Sequence, residues 1–386
     1  MSTHLAAVCS AKGQPFELQT RPTPKPGPGE LLVAVKSVAL NPADGYMRNL
    51  GIFIPAYPTV TGFDFSGLVL EVGEDVPTSP TDDDQGVFFQ PGITRVAAYA
   101  ASFWRSFDSN YGAFQERCLI PWQHAVPLPD GIPWNHAATL PVAVAVPLST
   151  WDILGIPRLE ETTASASATA STSSGTGEGA QSNKKQNEAL LIWGASSSVG
   201  TMGVQSARLL RDDPKSSFTA VYATAGSANM KYVGSLGADR VFDHKDPKVV
   251  DKILSAAKED GLVIRYCFLA TGSLTPCQAV LKAFLGDDEG LEKKAKIGSS
   301  PIVPPDAEVV DGVEVLFVQP SNEEDERLEQ FRYWMGTWLR KYLVKGMIEP
   351  SPEPRVLGKG LGAINAGLDM LLQGVSCTKL VVEVDE

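Results

Sequence analysis

The stretch Gly194-Ala195-Ser196-Ser197-Ser198-Val199-Gly200 is a turn of small residues between an apolar run, "EALLIW", and a segment of helical periodicity. The start of a helix exposes backbone N–H groups with no partner in the helix, and these favour an anion. Strand, tight turn and helix in that order form a phosphate-binding unit for a dinucleotide. Serines replace two of the glycines usual in such a turn, and their hydroxyls can donate to the same phosphate oxygens. The turn is therefore assigned to a diphosphate. The next apolar run, "FTAVYAT", leads into Gly226, Ser227, Ala228, Asn229, Met230 and Lys231. Enzymes that select NADH place Asp or Glu at this strand end, on the ribose hydroxyls. No acid stands there, so a 2′-phosphate meets no repulsion. Ser227 and Asn229 can donate to it and Lys231 can supply charge, although Lys231 reads equally well as a solvated helix residue. The expected cofactor is NADPH.

Positioning that turn requires a sheet. From residue 188 the chain alternates strand-like runs ("EALLIW", "FTAVYAT", "DRVFDH", "LVIRYCFLA") with helical ones ("VGTMGVQSARLLR", "ANMKYVGSLGA", "VVDKILSAAKEDG", "LTPCQAVLKAFL"). Such alternation predicts a doubly wound parallel sheet. In the first helix Val199, Met202, Gly203, Ala207 and Leu210 share one face. The first 150 residues carry short β-like runs instead, "LLVAVKSVAL" (31–40), "SGLVLEVG" (66–73) and "QGVFFQPG" (85–92), and predict a β-rich domain. Residues 160–187 are low-complexity Ala/Ser/Thr/Gly, expected to form a mobile surface loop. The fold class expected is α/β, and "INAGLDMLLQG" and "TKLVVEVD" add a last helix and strand.

Composition narrows the function. With 33 basic and 45 acidic residues the net charge is −12, which weighs against nucleic acid and anionic membranes as partners. Five scattered cysteines form neither a disulfide framework nor a structural zinc lobe. The apolar run "TLPVAVAVPLSTWDILGI" is interrupted by Pro141, Pro147 and Asp152, so no membrane span is expected. The N-terminus does not read as a signal peptide, and a cytoplasmic location is expected.

Seven ordered motifs, "NPADGY" (41–46), "GFDFSGLVLEVG" (62–73), "GAFQERCLIP" (112–121), "AATLPVA" (137–143), "GASSSVG" (194–200), "LGADRVFDH" (236–244) and "GLDMLLQGVSCTKLVVEV" (367–384), resemble the medium-chain dehydrogenase/reductase superfamily over essentially the whole chain. The resemblance implies a GroES-like substrate domain (1–150), a Rossmann NADPH-binding domain (151–314) and a C-terminal return to the first domain (315–386). Zinc-dependent members carry a cysteine where this chain has Asn41, and a His-Glu pair where it has Phe63-Asp64. Zinc there polarises an alcohol or carbonyl oxygen. Reduction of an activated C=C bond needs no metal: hydride reaches the β-carbon and charge spreads into a carbonyl. Phe63 then reads as a packing residue and Asp64 as a structural carboxylate.

Within the superfamily the chain looks most like the stand-alone, trans-acting enoyl reductases of fungal polyketide pathways, and is similar also to zinc-free quinone oxidoreductases. This implies that Ala43, Asp44, Gly45 and Tyr46 hold the cofactor, with Ser196, Ser197, Ser198 and Val199 at the diphosphate and Gly226 to Asn229 at the 2′-phosphate. His244 would flank the adenosine half, and Ser376 and Cys377 would precede the last strand at the cofactor. Thr139, Leu140, Pro141, Val142, Ala143, Val144, Ala145 and Val146 would line a substrate channel. Tyr46 stands where polyketide reductases can carry lysine, as in quinone oxidoreductases; its hydroxyl is a candidate catalytic donor, or its ring simply packs. His244 replaces a tyrosine and Cys377 a glycine. Some related reductases take a proton from a tyrosine near "GIFIPAYP"; Phe53 cannot donate, and Tyr57 is the phenol at hand. Three functions follow as expectations: an NADPH-dependent reductase of an enoyl thioester, free or carried by a polyketide synthase; a quinone oxidoreductase; or a non-catalytic NADPH-binding protein.

Overall fold

The structure is a computed structural model and describes residues 2–80, 86–159, 187–285 and 294–384. The low-complexity segment 160–187 lies outside these residues, Asn187 excepted. The chain divides into two compact units, Met1–Ala145 with Pro320–Glu386, and Val146–Gln319.

The first unit opens with an antiparallel pair, β1 (Thr3–Val8) and β2 (Glu17–Pro22). Then come β3 (Glu30–Ala39), α1 (Pro42–Leu50), β4 (Asp64–Val72), β5 (Arg95–Tyr99), β6 (Arg117–Pro121), β7 (Ala125–Pro127) and the short α2 (Trp134–Ala137). The run "ELLVAVKSVA" is apolar on both faces of β3, and every residue of it except Lys36 is buried. It is the hub of the unit, pairing antiparallel with both β4 and β6.

The expected strand at 85–92 does not form. Gly86 and Gly92 turn the chain with φ of 74° and 73°, and the Gly92 N–H goes to the Val69 carbonyl as a single bond rather than as part of a ladder. Val87 and Phe89 are buried all the same, Phe89 N–H bonding the Pro77 carbonyl. The apolar run after α2 is also corrected: α3 (Leu140–Leu154) is one helix with Pro147 inside it. Pro141 sits in its first turn, where a missing N–H costs nothing. The segment Trp134–Leu154 is long and apolar enough to cross a membrane, but 83% of its apolar window is buried, as in a core helix.

The second unit alternates strand and helix as the sequence predicts. Its elements are β8 (Glu188–Trp193), α4 (Ser198–Asp212), β9 (Phe218–Ala225), α5 (Met230–Ser235), β10 (Arg240–Asp243), α6 (Val249–Asp260), β11 (Val263–Leu269), α7 (Leu274–Lys282), β12 (Ala295–Ser299) and β13 (Val313–Phe317). All pairs are parallel, in the order β10-β9-β8-β11-β12-β13. This is a Rossmann sheet whose strand order reverses between β8 and β11, so ligands belong at the carboxyl ends of those strands. Helix α4 is buried on more than the one face that periodicity suggests, from Gly200 through Ala207. A Cβ on Gly203 would stand 2.9 Å from the Phe268 ring of β11, so this glycine lets the helix lie close on the sheet.

The chain then returns to the first unit through α8 (Glu324–Phe331), a wider π-helical stretch (Arg332–Leu339) and α9 (Arg340–Val344). Its last elements are β14 (Pro354–Lys359), α10 (Ile364–Gln373) and β15 (Lys379–Glu383). Strand β15 pairs antiparallel with β3, placing Val381 opposite Ala39.

Candidate active site

In the first unit the site is built on four polar side chains in an apolar core. Lys379, the first residue of β15, directs its ammonium to Asp64 Oδ2 at 2.9 Å and to Asn41 Oδ1 at 2.6 Å. Asn41 Nδ2 donates to the same Asp64 oxygen at 3.0 Å. The other Asp64 oxygen accepts the backbone N–H of Val142 at 2.7 Å, in the first turn of α3, where a carboxylate complements the helix dipole. Asp44 closes the set from α1, its Oδ2 accepting the N–H of Asn41 at 2.8 Å and so capping that helix. Asp44 and Asp64 are fully buried, and Lys379 is 4% exposed. Phe63 packs with Met47 and Phe107, as a packing residue should.

Burial is the main cause that raises the Asp44 carboxyl, to about 7, and the Asp64 charge adds to it. The Asn41 N–H and the Lys379 charge pull the other way. Among the described residues its second oxygen, Oδ1, has no hydrogen-bond partner. Asp44 thus belongs to the helix cap, buried beneath the residues expected to face the cofactor. Ala43 is exposed, and Tyr46 is 47% exposed. Gly45 owes its size to packing, since a Cβ there would stand 3.0 Å from Leu372 of α10. Arg48 ties the same two helices, bonding the Asp369 carboxylate and the Asn365 carbonyl. Ser376 is exposed, and Cys377 takes φ of 50°, in the left-handed region, two residues before Lys379. Of the predicted channel residues in this unit, Thr139, Leu140, Pro141, Ala143, Val144 and Ala145 are buried, and only Val142 keeps partly open surface; Val146, one turn on, is also half-buried. Among the described residues no group of three or more His, Cys, Asp or Glu is placed to share a metal ion.

In the second unit the turn after β8 has the geometry of a phosphate cradle. Gly194 has φ of 77°, and a Cβ there would meet Thr271 at 2.6 Å. A Cβ on Gly200 would stand 2.4 Å from the Gly194 carbonyl, so the turn closes tightly. The Ser197 hydroxyl is committed to capping α4: it donates to the Gly194 carbonyl at 2.8 Å and accepts the Gly200 N–H at 3.1 Å. The Ser198 hydroxyl, at the helix start, is buried and has no hydrogen-bond partner among the described residues, so it would have to turn outward to meet a diphosphate oxygen. Ser196 and Val199 are half-buried beside it. At the end of β9, Ser227 and Ala228 are exposed, with Gly226 and Asn229 half-buried. The exposed His244 ring comes within 3.7 Å of a Cβ built on Gly226, so these residues form one surface, and Lys231 is exposed on α5. The acid at this edge is Asp243 of β10, paired in register with Ala225, and its Oδ1 accepts the Lys245 N–H.

Residues 27–130 match the alcohol dehydrogenase GroES-like domain. The chain is 37% identical to the trans-enoyl reductase tndF of Aspergillus flavipes over 382 residues, 98% of each protein. It is also 37% identical to the trans-enoyl reductase tazE of Aspergillus terreus over 324 residues, 83% of this chain and 93% of that one. The chain belongs to the medium-chain dehydrogenase/reductase superfamily. Its fold matches the crystal structure of an alcohol dehydrogenase superfamily protein from Novosphingobium aromaticivorans, with a TM-score of 0.73 at 18% identity, over 99% of this chain and 100% of that one. The chain thus belongs to an oxidoreductase superfamily, and both of these relatives are named trans-enoyl reductases.

Sequence reasoning missed Lys379, because a lysine opening a strand gives no sign of its burial. It also passed over Tyr99, whose ring joins the Phe63 cluster.

Two outcomes test the cluster. Lys379→Met leaves Asp64 without its counter-ion and is expected to cost about 3–5 kcal/mol in denaturant unfolding; adding Asp64→Asn should recover much of that loss, and strict additivity would reject a coupled pair. Asp44 titrates near 3.8 when unfolded and near 7 when folded. The folded state holds the extra proton in that window, so the Asp44 contribution is complete below about pH 4 and is lost as pH rises through 7. Melting temperature against pH should therefore fall less steeply across that window in Asp44→Asn; parallel curves would contradict the assignment.

Proposed function

We propose that this protein is an NADPH-dependent reductase of the activated C=C bond of an enoyl thioester, working without zinc on a substrate carried by a polyketide synthase. The observation that carries this reading is the relation to tndF, named a trans-enoyl reductase, over 98% of both chains. The geometry agrees with it. Asn41 and Asp64 direct their side-chain oxygens to Lys379, and Phe63 has no lone pair to offer a metal. A reaction that needs only positioned hydride and a stabilised enolate fits such a site better than one needing a Lewis acid.

The bound nicotinamide nucleotide supplies the hydride. The chain supplies its cradle: the N–H groups at the start of α4 suit the diphosphate, and Ser227, Asn229 and Lys231 suit a 2′-phosphate. The exposed Ala43 and Tyr46 on α1 suit the nicotinamide end. Half-buried Val142 offers an acyl chain a small apolar contact.

Oxidation of NADPH by the purified protein should require an enoyl thioester such as crotonyl-N-acetylcysteamine. Turnover with a quinone alone would make it a quinone oxidoreductase, and turnover with neither a non-catalytic binder. Lys231→Ala should weaken NADPH by about 1–3 kcal/mol, as for a charge-assisted bond, and leave NADH nearly unchanged; equal wild-type affinity for both would reject the cofactor assignment. Prolonged treatment with a strong chelator should leave the reductase rate intact, and a zinc-restorable loss would show that metal takes part.

A further inference from the structure

Three phenols lie in the parts of the first unit that bear on the reaction. Tyr46 is nearly half exposed on α1, and Tyr57 packs against the main core of the unit. Tyr99 ends β5 directly opposite Asp64 in register. Its ring meets Phe63 edge-on at 5.7 Å and Phe331 at 5.2 Å. It joins the apolar cluster of Met47, Phe63 and Phe107, to which Val142 also belongs. Met47 follows Tyr46 on α1, and Val142 is the partly open residue at the start of α3. Met47, Phe63 and Phe107 are themselves buried, and half-buried Tyr99 and Val142 are among the members of this cluster that keep open surface, Val142 in the segment suited to the acyl chain.

Tyr99 is half-buried, and among the described residues nothing hydrogen-bonds its hydroxyl; its carbonyl is taken by His124 Nδ1 at 3.1 Å. The Tyr99 hydroxyl is not among the buried unpartnered groups, so it keeps contact with solvent and can exchange that water for a ligand. Burial, and then the charges of Asp64 and Asp44, push the phenol far above its ordinary range, so it stays protonated. The same carboxylates do not make this cluster strongly anionic. Lys379 neutralises Asp64, and Asp44 keeps its proton up to about pH 7.

We propose that Tyr99 is a catalytic hydrogen-bond donor, its hydroxyl binding the carbonyl oxygen of the α,β-unsaturated substrate as hydride reaches the β-carbon. This rests on the enoyl reductase reading. As the β-carbon accepts hydride with its electron pair, the π electrons of the C=C bond move to the α-carbon and into the carbonyl. The Tyr99 proton stays on its own oxygen and shortens its bond to the growing enolate oxygen. The α-carbon then takes a proton from water, whose hydroxide is neutralised by buffer. The substrate is reduced, the nicotinamide nucleotide is oxidised, and one solvent proton is consumed.

Tyr99→Phe keeps the ring and removes only the donor. With crotonyl-N-acetylcysteamine and NADPH, kcat should fall on the order of a hundredfold to a thousandfold, as on loss of one oxyanion donor, while NADPH affinity and melting temperature hold. The second readout needs no turnover. In complexes with NADP+ and a thioester labelled with carbon-13 at the carbonyl, the infrared C=O band should shift to lower frequency in the wild type and not in Tyr99→Phe. A Tyr99→Phe protein with the wild-type rate, or the wild-type band, overturns the inference alone. A wild type that neither turns over nor binds the thioester overturns the enoyl reductase reading, and this inference with it.

Discussion

The ion pair between Lys379 and Asp64 is the contact on which the first unit turns. Both groups are taken out of water, and such a pair is tolerable only if the remaining lone pairs and protons are satisfied. Here Asp64 accepts from Lys379, Asn41 and the Val142 backbone, and Lys379 also donates to Asn41. The consequence is geometric. One carboxylate fixes the start of α3, one amide fixes the start of α1, and one ammonium brings both to the last strand. A single buried charge pair thereby sets the spacing between the helix that carries Tyr46 and the helix that carries Val142. Hydrophobic packing alone would leave these helix ends free to slide.

The second unit solves its own placement problem with backbone. Its binding turn has no buried ion pair. Gly194 and Gly200 let the chain close within contact of itself, and Gly203 lets α4 press onto β11. The serines divide the work that remains: Ser197 caps the helix internally, and Ser198 keeps an unused hydroxyl at the helix start. Of the two serines, Ser197 thus satisfies its hydroxyl locally, whereas the buried Ser198 hydroxyl is without a partner among the described residues.

The sheet of the second unit was legible in the sequence because alternating strand and helix periods are local signals, and each of its first four strands and helices falls where the pattern places it. The β-rich first unit was less so. Val87 and Phe89 have the composition of a strand, but whether a strand forms depends on a partner that composition does not specify. The helices of 324–344 escaped notice because they carry glutamates and tryptophans rather than a clean apolar stripe, although Trp334 is fully buried. In the site, the small-residue turn was readable, since it is contiguous. Asp44 is placed at the cofactor by the resemblance alone, and its carboxyl is buried in the cap of α1, a contact that the motif does not announce. Lys379 and Tyr99 reach their partners across more than 300 and about 35 residues of chain, and no local pattern announces such meetings.

The exchange of ligand-type residues for Asn41 and Phe63 has an electrostatic corollary. A metal ion brings its own concentrated positive charge to a carbonyl oxygen. Lys379 is held by Asp64 and Asn41, so its charge is largely spent inside the cluster. Stabilising an enolate at such a site falls to neutral donors whose orientation is fixed before the substrate arrives. A phenol suits that task when its own ionisation is suppressed, for it then donates without a competing loss of its proton. The carboxylates beneath Tyr99 contribute by making its anion unfavourable, and the lysine contributes by keeping those carboxylates from repelling the enolate. On the proposed mechanism the buried ion pair balances the charge of the carboxylates, and the suppressed ionisation of the phenol keeps it a donor.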